Sequence, residues 1–158
     1  MQRTLANYAD PVPGPTYSFT EDWTVPRPRS ELYDVLVDVE RYPTWWPQVR
    51  AVAKLDDDVA LVACRSLLPY TLHLELRPVR RDREAGVLEA ALRGDLVGRC
   101  SWTLSDHPNG SRVRFAQEVR LPSRWLRLAS TVARPLLVAN HAWMMRGALR
   151  GLVGGTPR

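Results

Sequence analysis

The sequence is poor in lysine, cysteine and phenylalanine and has no long apolar run. Of its 22 basic residues only Lys54 is a lysine, and the arginines run from Arg3 to Arg158. So complete a swap reflects coding bias more than a selected binding face. The formal charge of +5 therefore argues little for nucleic acid. Cys64 and Cys100 stand far apart, with no CxxC and no paired histidine, which signals neither a zinc site nor a redox dithiol. Both read as small buried hydrophobes. No apolar run reaches the roughly 18–20 residues of a transmembrane helix. The opening MQRTLANYADPVPGPT lacks the apolar core of a signal peptide, so the cytoplasm is the expected location. There is no GxSxG, P-loop, GxGxxG, HExxH or carboxylate cluster with metal spacing. The expectation is no metal, no cofactor and no visible support for nucleophilic catalysis.

What is present is enough for one core. The chain has 158 residues, 45% of them hydrophobic, with 6 tryptophans; that is one domain's length. Residues 1–15 are proline-rich and aperiodic and read as an arm, 16–153 as the domain, and 154–158 as a tail. From Tyr17 the chain alternates, with Tyr17, Phe19, Glu21, Trp23 and Val25 on one face. Pro26 and Pro28 stop this strand. Ser30 is a plausible cap for a helix carrying Leu32, Val35, Leu36 and Val39. A short helical or turn segment, Arg41–Pro47, follows.

Six strands come next, over about 49–55, 59–67, 70–79, 86–92, 96–104 and 112–121. The turns between them include Asp56-Asp57-Asp58, Gly94-Asp95 and the hairpin signal Asp106–Gly110. Arg77, Arg80, Arg81 and Arg83, interleaved with Asp82 and Glu84, read as a solvated hairpin or as a dock for an anionic partner. From Ser123 the period becomes helical, through Trp125, Leu128, Val132, Leu136, Ala139 and Trp143, until Gly154-Gly155. Pro135 predicts a kink or two helices. Six strands joined by short turns imply one antiparallel sheet, which must curl, and the terminal helix is what remains to fill its concave side.

This order, with Trp23–Pro26, Glu31–Leu36, Asp38–Pro47, Gly94–Gly98, Arg134–Leu137 and Asn140–Met145, resembles the START-like (SRPBCC) superfamily, most closely its polyketide cyclase/dehydrase branch. The resemblance implies an α+β helix-grip fold: a curved antiparallel seven-stranded sheet wrapped around a long C-terminal helix, with two short helices after the first strand. It also implies a hydrophobic cavity between sheet and helix. Three functions follow as expectations: binding of a lipid, polyketide or isoprenoid-like molecule, polyketide aromatase/cyclase chemistry, or a protein-interaction module with a filled cavity. A cyclase would use the basic Arg77–Arg83 loop to dock an acidic carrier protein.

Each candidate site residue has a plain structural reading beside the functional one. His141, Glu21 and Arg65 are the catalytic candidates. His141 suits acid/base work near neutral pH. Glu21 lies on an apolar face, where a carboxylate is costly unless paired. The strand of Arg65 reads equally well in both registers; inward, Arg65 would pair with Glu21 or with a ligand carboxylate. Trp45, Trp46, Trp102, Phe115, Gln117, Asn140 and Trp143 are the ligand-binding candidates, and core packing is the alternative for every aromatic among them. Asn140 and His141 sit about 100° apart on a helix, so at most one is expected to point squarely inward. For either, a hydrogen bond to a neighbouring loop is the alternative.

Overall fold

The computed structural model describes residues 14–67, 69–122 and 124–154, and for residues 124–133 it describes the backbone alone. Most of the expected arm and tail, and the side chains of Trp125, Leu128 and Val132, lie outside these residues. Strand β1 (Thr16–Val25) leads into α1 (Arg29–Val37), a short 3-10 turn (Val39–Arg41) and α2 (Tyr42–Trp45). Strands β2 (Val49–Asp56), β3 (Val59–Arg65), β4 (Thr71–Asp82), β5 (Val87–Gly94), β6 (Val97–His107) and β7 (Gly110–Arg120) follow, then helix α3 (Arg124–Gly154). The sheet order is β1-β7-β6-β5-β4-β3-β2, every pair antiparallel. Meander neighbours pair in sequence order, and β1 closes on β7, so the helix pair bridges the two sheet edges. This is the helix-grip layout.

The alternation is what places the side chains. In β1 the Tyr17–Val25 row faces the core and its neighbours are exposed. In β7 Val113, Phe115 and Val119 are buried between exposed Arg112, Arg114, Glu118 and Arg120. Strand β4 runs through the basic stretch to Asp82, so the hairpin tip is shorter than the sequence suggests. Its Pro78, which cannot donate to a ladder, sits at a register shift between Pro78 and Arg80. Three arginines here, half-buried Arg77 and exposed Arg80 and Arg83, are locally neutralised: Arg80 on Asp82 at 2.7 Å, Arg77 on Glu75 at 2.8 Å, and Arg83 on Asp34.

Three local expectations need correction. Ser30 lies inside α1, whose N-cap is Pro28 without a side-chain hydrogen bond. Of the two outcomes expected at Pro135, that of separate helices is overturned, for α3 is a single 31-residue helix containing it. The inward row of α3 is not the Leu136–Ala139–Trp143 row. It is Leu137, His141, Met145, Ala148 and Leu152, while Leu136 and Ala139 are exposed.

The reason for that phase is steric. Gly147 and Gly151, one turn apart, face the Trp45–Gln48 segment. A Cβ on Gly147 would collide with the Gln48 carboxamide, and one on Gly151 with the backbone carbonyl of Trp45. Only hydrogen side chains let the helix come this close. At this end of the molecule Val25, Leu32, Leu36, Leu104, Val113 and Leu152 are essentially inaccessible to solvent. Each such side chain is worth about 1.5–3 kcal/mol of transfer free energy.

Candidate functional site

Toward the other end the sheet and α3 diverge, and side chains stop filling the space. A cavity of about 260 Å³ remains. That is just under the roughly 300 Å³ at which pockets for drug-sized ligands begin. Its sheet wall is aliphatic on β3 to β5 (Val62, Leu72, Leu74, Leu76, Leu88, Leu92) and aromatic on β6 and β7 (Trp102, Phe115). Leu137, Asn140, His141, Met144 and Met145 of α3 form the opposite wall. One end of the cavity reaches Tyr17, Ser66, Tyr70 and Leu137. The other reaches the β2–β3 turn, Asp56 to Asp58, with Asp38, Glu40, Arg80 and Arg81 around it.

The rings along the wall form a connected arc. The His141 imidazole stacks on Phe19 at 4.1 Å and 19°, and lies 6.0 Å from Phe115. Phe115 touches Trp102 at 4.7 Å, and Trp102 meets Trp46 edge-on at 6.3 Å. Of the two adjacent tryptophans, Trp46 lines the cavity and donates its indole N–H to the Met144 carbonyl at 2.9 Å. Trp45 turns away into the core against Tyr42. Trp102, Phe115, Gln117 and Asn140 also line the cavity; half-buried Trp143 does not, because it lies one turn before Gly147, on the helix side that meets Gln48.

His141 and Glu21 do come together. Glu21 sits opposite Phe115 on the inward face of β1, and its Oε1 is 3.8 Å from Nε2 of His141. That distance is too long for a hydrogen bond. Nε2 is buried without a partner. Burial pushes the imidazole pKa down to about 4, so the ring is neutral at neutral pH. Glu21 itself stands behind the ring and does not line the cavity. Arg65 is corrected outright: it is exposed on the outer face, between inward Cys64 and Ser66, in register with Thr71. An inward pairing with Glu21 is impossible from there.

Asn140 serves both readings at once. Its carboxamide oxygen accepts from the Leu67 backbone N–H at 2.8 Å and from the Ser66 hydroxyl at 3.2 Å, tying α3 to the β3–β4 turn at the cavity rim. Asn140 and His141 both line the cavity, with the Asn140 carboxamide turned to the neighbouring Ser66–Leu67 segment. Ser66, Tyr42 and Gln48 are polar groups the sequence reading passed over. Tyr42 donates its hydroxyl to the Leu36 carbonyl at 2.7 Å, and burial raises its pKa. Ser66 is found only through a partner 74 residues away, which no local pattern reveals. Burial also pushes the cavity thiols of Cys64 and Cys100 up to about 12, so neither is a thiolate nucleophile at neutral pH. Among the described residues no group of His, Cys, Asp or Glu could hold a metal ion, and no helix is long and apolar enough to cross a membrane.

A sheet gripping one helix around an apolar pocket defines a START-like, helix-grip protein. The chain belongs to the polyketide cyclase / dehydrase and lipid transport family, whose model matches residues 25–140. No curated protein matches it. Among solved structures it is similar to the Zhui aromatase/cyclase of a Streptomyces species, with a TM-score of 0.76 at 15% identity over 88% of this chain and 92% of that one. It is also similar to a START superfamily protein of Mycobacterium smegmatis, with a TM-score of 0.59 at 12% identity over 85% and 96%. A third likeness is to the di-domain ARO/CYC BexL, with a TM-score of 0.67 at 16% identity, covering 90% of this chain but 51% of that one. At these identities the likeness is one of fold.

Proposed function

We propose that the protein binds a small hydrophobic molecule in the cavity between the sheet and α3. The observation that carries this is the cavity itself: about 260 Å³ left unfilled, with apolar walls and a few polar groups, Gln117, Asn140 and His141. Such sites hold an apolar body and orient it through few polar contacts. A filled interaction module would leave no such space. A cyclase acting on a carrier-held polyketide is the second reading, favoured by the neutral His141 ring in the wall with Glu21 behind it. With Arg65 facing solvent, that pair is the acid/base group available to it.

One assay addresses both. Phenylnaphthylamine, an apolar fluorophore, is expected to bind the purified protein and quench Trp46 and Trp102. Ala90→Phe, which adds a ring to the cavity wall, is expected to abolish this. Unchanged binding by Ala90→Phe, or no binding by the parent, would sink the proposal. His141→Ala and Glu21→Gln are then compared for probe affinity and for product from a carrier-held polyketide. Retained affinity with lost product assigns catalysis; lost affinity alone leaves a binding protein.

A further inference from the structure

We infer that the exposed residues 134–136, 138 and 139 of α3, with Leu67 and Tyr70 beside them, are a docking face for an anionic lipid bilayer. The charge of the chain is not evenly divided. Residues 1–118 hold 15 basic and 17 acidic side chains, whereas residues 119–158 hold seven arginines and no carboxylate side chain. The whole positive surplus therefore lies in α3 and its immediate flanks.

Position decides what that surplus faces. Asn140 is tied to Ser66 and Leu67, whereas Arg27 bonds the Leu152 carbonyl at the opposite end of α3. The helix residues just before Asn140 thus lie at the β3–β4 end of the sheet, Leu137 on the cavity and its neighbours turned away from it. There Arg134, Pro135, Leu136, Val138 and Ala139 are all exposed. Leu136 is 39% and Val138 50% exposed, and across the Asn140 tie Leu67 and Tyr70 are 47% and 37% exposed. The side chains of Arg65 and Arg134 stand at the same end, exposed, with no ion pair among the described residues.

The geometry distinguishes a bilayer from a protein groove. Leu136 and Val138 are two positions apart, so they point about 200° apart around the helix. A groove covers one side of a helix. The headgroup and upper acyl layer takes both flanks of a helix whose inner side, at Leu137, faces the cavity, and arginines without an ion pair are drawn to anionic headgroups. Tyr17, Tyr70 and Leu137 at this face also line the cavity. The docking inference does not depend on which molecule the cavity holds.

The test is co-sedimentation of the full chain with vesicles of phosphatidylcholine alone or mixed in equal parts with phosphatidylglycerol. Binding to the anionic vesicles only, weakened by added salt, is expected. The Leu136→Glu, Val138→Glu double variant should lower it by roughly tenfold or more, and Arg134→Ala by about fivefold. Leu61→Glu, on the outer face of β3, should change nothing. Phenylnaphthylamine binding is measured in parallel, so a lost fold or cavity is told apart from lost docking. Equal binding to both vesicles, binding to neither, or full binding by the double variant would overturn the inference. So would capture by an acidic carrier protein without vesicle binding, which would assign the face to a protein.

Discussion

The two ends of the gripped helix are built on opposite principles. Around Gly147, Gly151 and Leu152, α3 lies against Trp45–Gln48 with no room for even a methyl group. Around Leu137, Asn140 and His141 the same helix stands off the sheet, leaves about 260 Å³ empty and tolerates a buried imidazole nitrogen without a partner. One end holds the fold by close apolar contact. The other gives up contact energy for a pocket, and Asn140 ties it to the sheet side through Ser66 and Leu67. Close packing and open cavity are thus separated along one element, so substitutions at the two ends should move different observables.

The largest effect is expected at the closed end. Leu152→Ala removes a fully buried side chain where the surroundings cannot collapse. Denaturant titration should show a loss of about 2–5 kcal/mol, with probe affinity in the surviving folded protein nearly unchanged. Equal losses of both would break the separation.

Gly151→Ala should come next and gives the sharper test, because two effects oppose. Helix propensity favours alanine by about 1 kcal/mol. The new methyl meets the rigid Trp45 carbonyl rather than a movable side-chain tip, and overpacking of this kind costs about 1–3 kcal/mol. A net loss is expected in the same titration; a gain would mean that the contact is looser than described.

The effect at the open end is absent at neutral pH and appears only as the pH falls. The folded His141 pKa, about 4, lies below its ordinary 6.5 because of burial. Below pH 6.5 the unfolded chain takes up a proton that the folded protein does not, so this contribution is complete above 6.5 and is lost as pH falls toward 4. The slope is at most about 1.4 kcal/mol per pH unit. His141→Phe keeps a ring on Phe19 and removes the titration, so its stability should fall less than the parent's between pH 6.5 and 4. Parallel pH profiles would show that His141 is hydrated and that the open end is wetter than the geometry implies.

How much of this was legible depends on whether a residue's neighbours repeat. The inward setting of Glu21 follows from Tyr17, Phe19, Trp23 and Val25 at period two, and the pairing of β1 with β7 bears it out. Gln117 follows the same way from Val113, Phe115 and Val119. Arg65 did not, because Val59–Cys64 is apolar at nearly every position and carries no period. Its face was set by pairing with Thr71 and by its N–H bonding the Gln48 carbonyl at 2.7 Å. Trp143 failed for the matching reason on a helix: α3 is apolar almost all round, so several rows fit.

The order of periods along the chain therefore determined the class of fold, the sheet, and the inward residues of every strand that alternates. Local sterics and burial of one face suffice for that, since they act over two to four residues. The tertiary structure alone decided the rotation of α3, the outward turn of Arg65, the meeting of Asn140 with Ser66, and the empty space beside His141. Those depend on contacts between residues tens of positions apart and on the volume their side chains fail to fill, and neither is written in any local pattern.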